Sequence, residues 1–416
     1  MPHSEQPPRI LFVGHGGLPN GFSRVVETLL SSLPTVYELH HLVVNDRSPR
    51  PRNGWAVHGN AYLPNLHSAR ALEELLDAFE PALLVVVDEP WVCARRLDSV
   101  RDRYPQLRTV MYCAADGEES VTPKIAASLA RASMIVVFTD FARNIVRERV
   151  TDLPDAQLRI IPHGVDLDTF FPLCGRDAAA FQKSRQQARR ILFPQSPELQ
   201  DAFIVLNANR NQPWKGIEAC IEGFALFAKD KPPDVKLYLH MGTRAPEPGT
   251  LPLVDRFGIR DRLLYTALSD RHPELSSEKL NLLYNACDAG INSSDKEGWG
   301  LISFEHGATG APQIVPGNSA PAELWRGSAL MLECEKENCI RGYRRAGHAV
   351  KPESVAKQLG ILYSNPAGRS QWAEAAYRNA TQPKYDWHNI ARQWTQVFED
   401  VLARPVGLAS IECDGY

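Results

Sequence analysis

The stretch NSSDKEGWGLISFE, residues 292–305, carries a glycine turn that leads into an apolar run with helical spacing. Gly298 and Gly300 allow the backbone to approach a ligand that any Cβ would push away. The helical run begins near Leu301, so the turn ends at a helix N-terminus, where amide groups and the macrodipole favour an anion. This stretch therefore predicts an α/β fold with an anion site at a strand-to-helix turn.

Two carboxylates flank the turn. Glu297 precedes the predicted helix, and Glu305 lies about one turn into it. Beside a bound anion they would be repulsive unless they accept hydrogen bonds from hydroxyls, and a sugar nucleotide supplies hydroxyls on its hexose and its ribose. The pattern favours a sugar nucleotide over a bare phosphate. The alternative is an ordinary glycine turn with two solvated glutamates.

A second loop carries two cations. Residues 203–208 form an apolar run typical of a buried parallel strand, and Arg210 and Lys215 follow it before the amphipathic run Ile217–Phe227. Two cations at the carboxyl edge of a parallel sheet suit a diphosphate. Each contact contributes on the order of 4 kcal/mol before desolvation, enough to stabilise a leaving group without a metal. The alternative is a pair of solvated loop cations.

Apolar runs alternate with helix-period segments along the chain, which predicts two doubly wound α/β domains. The ion-rich segment Arg176–Arg190 is expected to bridge them. The predicted strands are Ile10–Val13, Leu39–Val44, Ala82–Val87, Thr109–Tyr112, Met134–Phe138, Leu158–Ile161, Phe203–Leu206, Val235–His240, Arg262–Tyr265, Ala289–Asn292 and Pro312–Val315. Residues 333–345 form a charged, irregular excursion with no assigned purpose.

Together these motifs resemble the family 4 retaining glycosyltransferases of the GT-B fold, over roughly residues 9–402. The motifs that carry the resemblance are the first loop GHGGLPNG (residues 14–21), IPHGVD (161–166) with Phe171-Pro172, Arg210 with Lys215-Gly216, and residues 297–305. The resemblance implies two Rossmann-like domains with a deep cleft between them. They would span residues 1–170, joined by a C-terminal helix that crosses back within 384–416, and residues 171–383.

The resemblance also implies the roles of the site residues. Arg210 and Lys215 would bind the donor diphosphate, Glu297 the sugar hydroxyls and Glu305 the ribose, with retention of the anomeric configuration. The other predicted donor contacts are Gly16, Gly17, Gly21, Gly298, Trp299, Gly300 and Leu301. Trp299 alternatively packs in the core beneath the turn.

The chain departs from the family at one position. Many members have a histidine after the strand that here spans residues 107–113, whereas this chain reads AADGEE at 114–119. Asp116 is the nearest polar replacement, and it could orient a reacting hydroxyl or take a proton. Alternatively, Asp116 and Glu118 solvate a loop or cap the predicted helix Val121–Ala130. The predicted catalytic set is Asp116, Glu297, Arg210 and Lys215. His15 and Glu118 are the next candidates if Asp116 has no catalytic role.

Composition narrows the function class. The chain has 416 residues, 44% of them hydrophobic, and a formal net charge of −3, which gives no electrostatic reason to expect nucleic acid. The eight cysteines show no Cys-x-x-Cys or zinc-site spacing, and Cys220 and Cys287 are predicted to be small core residues. We expect no divalent metal and no other cofactor. The polar N-terminus and the lack of an 18-residue apolar run predict no signal peptide, a cytoplasmic protein and at most peripheral membrane contact.

The sequence therefore predicts an enzyme of the hexosyltransferase class that moves a sugar from a nucleoside diphosphate to an acceptor hydroxyl. Two alternatives remain open at this point. One is a nucleotide-sugar epimerase or hydrolase on the same fold, which needs the diphosphate site but no acceptor. The other is a catalytically inactive sugar-nucleotide-binding partner, which the missing histidine allows.

Overall fold

The chain divides into two compact units. The computed structural model describes residues 6–17, 20–63, 65, 69–244, 249–337 and 347–404. One unit comprises Met1–His163 with Trp387–Tyr416, and the other comprises Gly164–Asp386. The divisions fall after His163 and after Asp386, whereas the sequence placed them after residues 170 and 383.

The described part of the first unit contains a seven-stranded parallel sheet. Its strands are β1 (Arg9–Gly14), β2 (Glu38–Val43), β3 (Ala56–Gly59), β4 (Leu83–Asp88), β5 (Arg108–Cys113), β6 (Met134–Val137) and β7 (Leu158–Ile160). Their order is β3-β2-β1-β4-β5-β6-β7, so the winding direction reverses between β1 and β4. Such a reversal creates a crevice at the carboxyl ends of the strands, where ligands bind in open α/β sheets.

Helices cover both faces of this sheet. They are α1 (Gly21–Ser32), α2 (Ala69–Phe79), α3 (Pro90–Arg101), α4 (Pro123–Leu129), α5 (Asp140–Arg149) and α14 (Trp387–Ala403). Leu11 and Val13 of β1 pack into the cluster that includes α2 to α5, while Phe12 points to the other face and meets Phe398 of α14 with ring centroids 6.2 Å apart. Burial on both faces explains why the strands are nearly continuous apolar runs. The predicted return of the C-terminal helix to the first domain is confirmed.

The second unit contains a six-stranded parallel sheet within its described residues. Its strands are β8 (Phe203–Asn207), β9 (Val235–Leu239), β10 (Leu263–Tyr265), β11 (Ala289–Ile291), β12 (Gln313–Pro316) and β13 (Leu330–Leu332). The order β10-β9-β8-β11-β12-β13 reverses between β8 and β11. The helices are α6 (Ala178–Leu192), α7 (Ile217–Ala228), α8 (Thr250–Arg256), α9 (Ser277–Ala286), α10 (Leu301–Ala308), α11 (Ser319–Leu324), α12 (Pro352–Ser364) and α13 (Pro366–Ala380).

The helix α6 is not the predicted bridge, because it lies wholly in the second unit and is fixed there by a buried ion cluster. Arg189 donates to Asp288 at 2.6 Å, and Arg185 lies 3.3 Å from the other oxygen of the same carboxylate. Burial would raise the pKa of Asp288, but the two guanidinium groups outweigh it and hold that pKa below its ordinary value. The ion-rich composition of α6 therefore reflects a buried ionic contact rather than an exposed linker.

Four strands escaped prediction from the sequence. The strands β3 and β13 are short, with four and three residues, and so leave little periodic signal. The predicted irregular excursion, residues 333–345, instead begins with β14 (Cys334–Glu337), which pairs antiparallel with β15 (Gly347–Val350) just beyond its end. Residues 338–345 of the excursion lie outside the described residues. Cys220 and Cys287 are buried, as predicted. Within the described ranges, every helix lacks the length and continuous apolarity that crossing a bilayer requires.

Candidate functional site

Two strand-to-helix loops meet where the second sheet reverses direction. β8 and β11 are adjacent, with Leu206 in register with Gly290. The loop after β8 carries Arg210 and Lys215, and the loop after β11 carries Glu297. Because the strands are parallel, both loops leave the same edge of the sheet. The topology therefore brings together the cations and the carboxylate that the sequence singled out.

Lys215 and Glu297 form a direct ion pair. The Lys215 Nζ atom lies 2.6 Å from Glu297 Oε2, and the hydroxyl of Ser294 donates to the same oxygen at 3.1 Å. The two charged side chains are only 13% and 16% exposed. Partial burial strengthens their attraction relative to a surface pair. Arg210 lies on the same loop and is exposed.

Gly216 permits the close approach of the two loops. It has a φ of +60°, and a Cβ at this position would lie 1.9 Å from the carbonyl oxygen of Ser293. The Ser293 hydroxyl donates to the Lys215 carbonyl at 2.9 Å, and the Asp295 amide donates to the Trp214 carbonyl at 2.9 Å. Only glycine satisfies both the conformation and the contact. Gly216 thus sets the position of Lys215, and Lys215 supplies the positive charge.

Ser319 fixes the backbone of Glu297. The Glu297 amide donates to Ser319 Oγ at 3.1 Å, and the Ala320 amide donates to the Glu297 carbonyl at 3.3 Å. The Ser319 hydroxyl in turn donates to Asn318 Oδ1 at 2.8 Å. Ser319 has a φ of +47°, a left-handed conformation that is costly for a residue with a Cβ. The only local signal for this residue in the sequence is an Asn-Ser pair closely following a strand, which did not predict its role.

The turn before α10 has the geometry expected of a ligand-binding helix start. Gly300 is the N-cap residue in the left-handed region, with a φ of +91°, and no side chain caps the helix that begins at Leu301. Glu305 is 3% exposed and accepts a hydrogen bond from the Tyr284 hydroxyl at 2.9 Å. Gly298 precedes this turn directly. The arrangement directs a helix N-terminus toward the edge of the sheet that carries Lys215.

Trp299 lies in the core. It is 3% exposed, its ring stacks on Phe304 at 4.8 Å, and it meets Tyr385 edge-on at 5.5 Å. This environment favours core packing beneath the turn over contact between the indole and a donor sugar.

Side chains from elsewhere in the first unit hold its glycine loop in place. The Gly16 amide donates to Asn45 Oδ1 at 2.9 Å, and the Gly17 amide donates to Glu27 Oε1 at 2.9 Å. Gly21 begins α1, for which Asn20 provides the side-chain cap. Donor binding by Gly16, Gly17 and Gly21 stays a prediction, and a ligand would have to compete for the first two amides.

Asp116 follows β5 in a half-buried loop. The capping alternative is wrong, because α4 begins at Pro123 and Thr122 caps it by accepting the Ile125 amide at 3.4 Å. Glu118 pairs instead with Arg149 at 2.9 Å. Asp116 therefore does not cap this helix, and its catalytic role stays a prediction.

His163 is a packing residue of the first unit. It is buried against Phe138 and hydrogen-bonded to the Tyr112 hydroxyl at 2.8 Å. Burial lowers the pKa of His163 to about 3, so the ring is neutral near physiological pH.

Asp88, the last residue of β4, was not predicted from the sequence. Its Oδ1 accepts the Glu89 amide at 2.8 Å, and its Oδ2 lies 4.0 Å from His15 Nε2. Burial raises the pKa of Asp88 to about 7. The available signal was an acid that ends a run of five apolar residues, LLVVVD. Within the described residues, no group of three or more His, Cys, Asp or Glu side chains is placed to hold a metal ion.

The two doubly wound units and the paired loops define the GT-B fold of glycosyltransferases. Solved structures agree over nearly the whole chain. Sucrose-phosphate synthase from Thermosynechococcus elongatus has a TM-score of 0.72 and 17% identity over 95% of this chain and 99% of that chain. Anabaena HepE in complex with UDP and glucose has a TM-score of 0.67 and 16% identity over 94% and 99%. The glycosyltransferase WaaG has a TM-score of 0.67 and 14% identity over 93% and 99%.

Curated relatives agree with this class. The chain is 27% identical over 292 residues to the D-inositol 3-phosphate glycosyltransferase of Xylanimonas cellulosilytica, covering 69% of this chain and 60% of that protein. It is 25% identical over 335 residues to the protein of the same name from Streptomyces griseus, covering 75% and 64%. The chain thus spans less than two thirds of the length of these relatives. No family model matches the chain. The resemblance to family 4 glycosyltransferases is confirmed by these relatives and by the fold.

Proposed function

We propose that this chain transfers a hexosyl group from a nucleoside-diphosphate sugar to an acceptor hydroxyl, with retention of anomeric configuration and without a metal ion. The observation that carries the proposal is the Lys215–Glu297 pair at the point where the second sheet reverses direction. A cation that could bind a diphosphate lies beside a carboxylate that could bind sugar hydroxyls, which supports the proposal. The names of the curated relatives and the UDP and glucose bound to HepE support this assignment.

The diphosphate would be bound by charge and by amides. A lysine ammonium has three donors, and Glu297 uses one of Lys215 Nζ, so the others can serve phosphate oxygens. Arg210 would add a forked donor from the same loop. The uncapped N-terminus of α10 would supply amide donors and its dipole. Together they would stabilise the charge that develops on the leaving diphosphate, the task that a metal performs in other enzymes.

The two glutamates would recognise hydroxyls. Lys215 and Ser294 both contact Oε2 of Glu297, so in this proposal Oε1 accepts from the donor sugar. Tyr284 donates to Oε2 of Glu305, and this carboxylate is proposed to bind the ribose. A carboxylate whose rotamer is already fixed loses less entropy on binding.

The acceptor hydroxyl would attack the anomeric carbon from the face that the diphosphate leaves, which retains the configuration. As the new C–O bond forms and the bond to the diphosphate oxygen breaks, the hydroxyl proton would pass to a leaving phosphate oxygen or to Asp116. The acceptor class is a hydroxyl-bearing sugar or polyol, and inositol phosphates are included because the relatives are named for one. We propose a cytoplasmic location and no nucleic-acid partner, in keeping with the net charge of −3.

The test is a donor and acceptor panel. UDP-, GDP- and ADP-sugars are incubated with glucose, myo-inositol and inositol 3-phosphate, and the anomeric coupling constant of the product is read by proton NMR. A product with the donor's configuration is expected, and an inverted product would contradict retention. Diphosphate release without a transfer product would indicate a hydrolase, and binding without turnover would indicate an inactive partner.

A further inference from the structure

The first sheet also has a crevice where its winding reverses, and two polar side chains lie there. His15 directly follows β1, and Asp88 is the last residue of β4, the adjacent strand. The reversal between β1 and β4 is the position at which open α/β sheets bind ligands. The donor contacts proposed above use neither residue, although the predicted contacts Gly16 and Gly17 directly follow His15.

The two side chains are arranged so that one is fixed and the other accessible. The Asp88 side chain is 10% exposed, and the Glu89 amide donates to its Oδ1 at 2.8 Å. The Asp88 Oδ2 atom faces His15 Nε2 at 4.0 Å, and the His15 side chain is 23% exposed. Phe22 packs nearly parallel to the imidazole, with ring centroids 6.1 Å apart. A buried carboxyl group therefore stands behind a partly exposed imidazole.

The surroundings favour a neutral ligand over an anion. The amides of Gly16 and Gly17 already donate to Asn45 and Glu27. An anion bound at His15 would face the carboxyl group of Asp88, whereas the Glu27 carboxylate is paired with Arg52 at 2.9 Å. A hydroxyl can donate to one group and accept from another, so it suits an imidazole backed by a carboxyl group.

We propose that His15 and Asp88 form a hydroxyl-binding site for the uncharged polyol ring of the acceptor, such as the ring of a hexose or a cyclitol. His15 contacts the hydroxyl, and Asp88 is a positioning residue that orients the imidazole. The role of the polyol as the acceptor rests on the proposed transferase function, but the binding of a polyol at His15 does not.

Near neutral pH the Asp88 carboxyl group is present in both its protonated and its ionised form. Burial raises the pKa of Asp88 to about 7, opposed by the Glu89 amide. The charged or titratable groups that act on Asp88 are Glu89, Arg96 and Cys93 of the α3 region.

On the β2 side, His41 acts on His15, and its own pKa is lowered to about 4 by burial. The neutral His41 adds no charge there above about pH 5. Polyol affinity should therefore change between about pH 6 and 8 as the Asp88 carboxyl loses its proton.

The experiment measures polyol binding directly, using the full chain with UDP present. The His15 Cε1–H resonance is followed by NMR during titration with myo-inositol and then with glucose, and calorimetry gives the dissociation constant. A shift of that resonance is expected. His15→Gln should weaken binding at least tenfold, while the matched exposed control His388→Gln should leave it unchanged.

The Asp88→Asn variant distinguishes a positioning role of Asp88 from a purely structural role. It removes the titratable carboxyl group with little change of shape, so it should flatten the pH dependence between 6 and 8 and weaken binding less than His15→Gln does. Asp102→Asn, at an exposed position just after α3, is the control. Should Asp88→Asn fail to fold, the His15 titration still decides the proposal.

Three results would overturn the inference. They are no polyol binding to the wild-type chain, an unchanged His15 resonance at saturation, and an undiminished affinity in His15→Gln. A measurement of UDP binding distinguishes failure of this inference from failure of the proposed function. If UDP binds while His15 fails these tests, only the acceptor site is wrong, and if UDP does not bind while polyols do, only the donor assignment is wrong.

Discussion

Lys215 Nζ lies 2.6 Å from Glu297 Oε2, although the two residues are 82 positions apart in the chain. Both side chains are largely shielded, at 13% and 16% exposure, so each charge depends on the other in this structure. Removing one partner of a shielded pair costs more than the pair itself contributes, because the remaining charge is left uncompensated. The pair thus holds a cation and a carboxylate in place before any ligand arrives.

Arg210→Ala and Lys215→Ala should each weaken binding of a nucleoside diphosphate by roughly 1.5–3 kcal/mol, the usual contribution of a charge-assisted hydrogen bond. Calorimetry with UDP and GDP measures the loss. Lys229→Ala is the matched control, because this lysine is exposed at the end of α7 in the same unit. Unchanged affinity in both loop variants would exclude the diphosphate assignment.

Ser319→Ala and Ser319→Gly should lower turnover to the same extent, because both lose the acceptor of the Glu297 amide. Their stabilities should differ, since glycine tolerates the φ of +47° and alanine does not. The glycine variant should be more stable by about 0.4–1 kcal/mol in urea unfolding. Full turnover in Ser319→Gly would show that the hydroxyl does not position Glu297.

Asp116→Asn should keep the donor affinity, because Arg210, Lys215 and Glu297 are unchanged. Turnover should nevertheless fall about 10²–10⁴-fold if the carboxylate takes a proton or orients the reacting hydroxyls. Steady-state rates and calorimetry on the same preparation separate the two effects. Glu148→Gln, at an exposed position of α5 in the same unit, serves as the control. Undiminished transfer by Asp116→Asn would assign the proton to a phosphate oxygen instead.

Transfer activity should survive EDTA, because two cations and helix amides are proposed to stabilise the diphosphate. The assay compares initial rates after dialysis against EDTA with rates after addition of Mg²⁺ or Mn²⁺. Equal rates are expected. A loss of activity that either ion restores would refute metal independence.

Acid should destabilise the first unit partly through His163. Its folded pKa of about 3 lies below the ordinary value of 6.5, so the unfolded chain binds the proton more readily. This contribution to stability is complete above pH 6.5 and is lost as the pH falls toward 3, at up to about 1.4 kcal/mol per pH unit. His163→Gln should make urea midpoints less pH-dependent between pH 7 and 5. The exposed His388→Gln should retain the wild-type slope, and identical slopes in all three proteins would contradict the assignment.

Much of the fold could be predicted because strands buried on both faces are marked by unbroken apolar runs. The strand cores around Ile10, Leu84 and Val205 stood out for this reason. β3 did not, because none of its four residues is fully buried. The helix α6 was assigned a wrong role because charge in a sequence does not reveal burial, and Asp288, the partner of its arginines, lies about a hundred residues away.

The sequence by itself singled out the candidate donor-binding residues of the second unit. Glycines before a helix, with cations and carboxylates nearby in the chain, form a local pattern that can be recognised from consecutive residues. Only the tertiary structure decided that Lys215 bonds to Glu297, that Ser319 holds the Glu297 amide, and that Asp88 stands behind His15. Each of these contacts joins segments that meet because parallel strands place their carboxyl ends on one edge of a sheet. Strand order across a sheet is set by packing between distant segments, which no local pattern records.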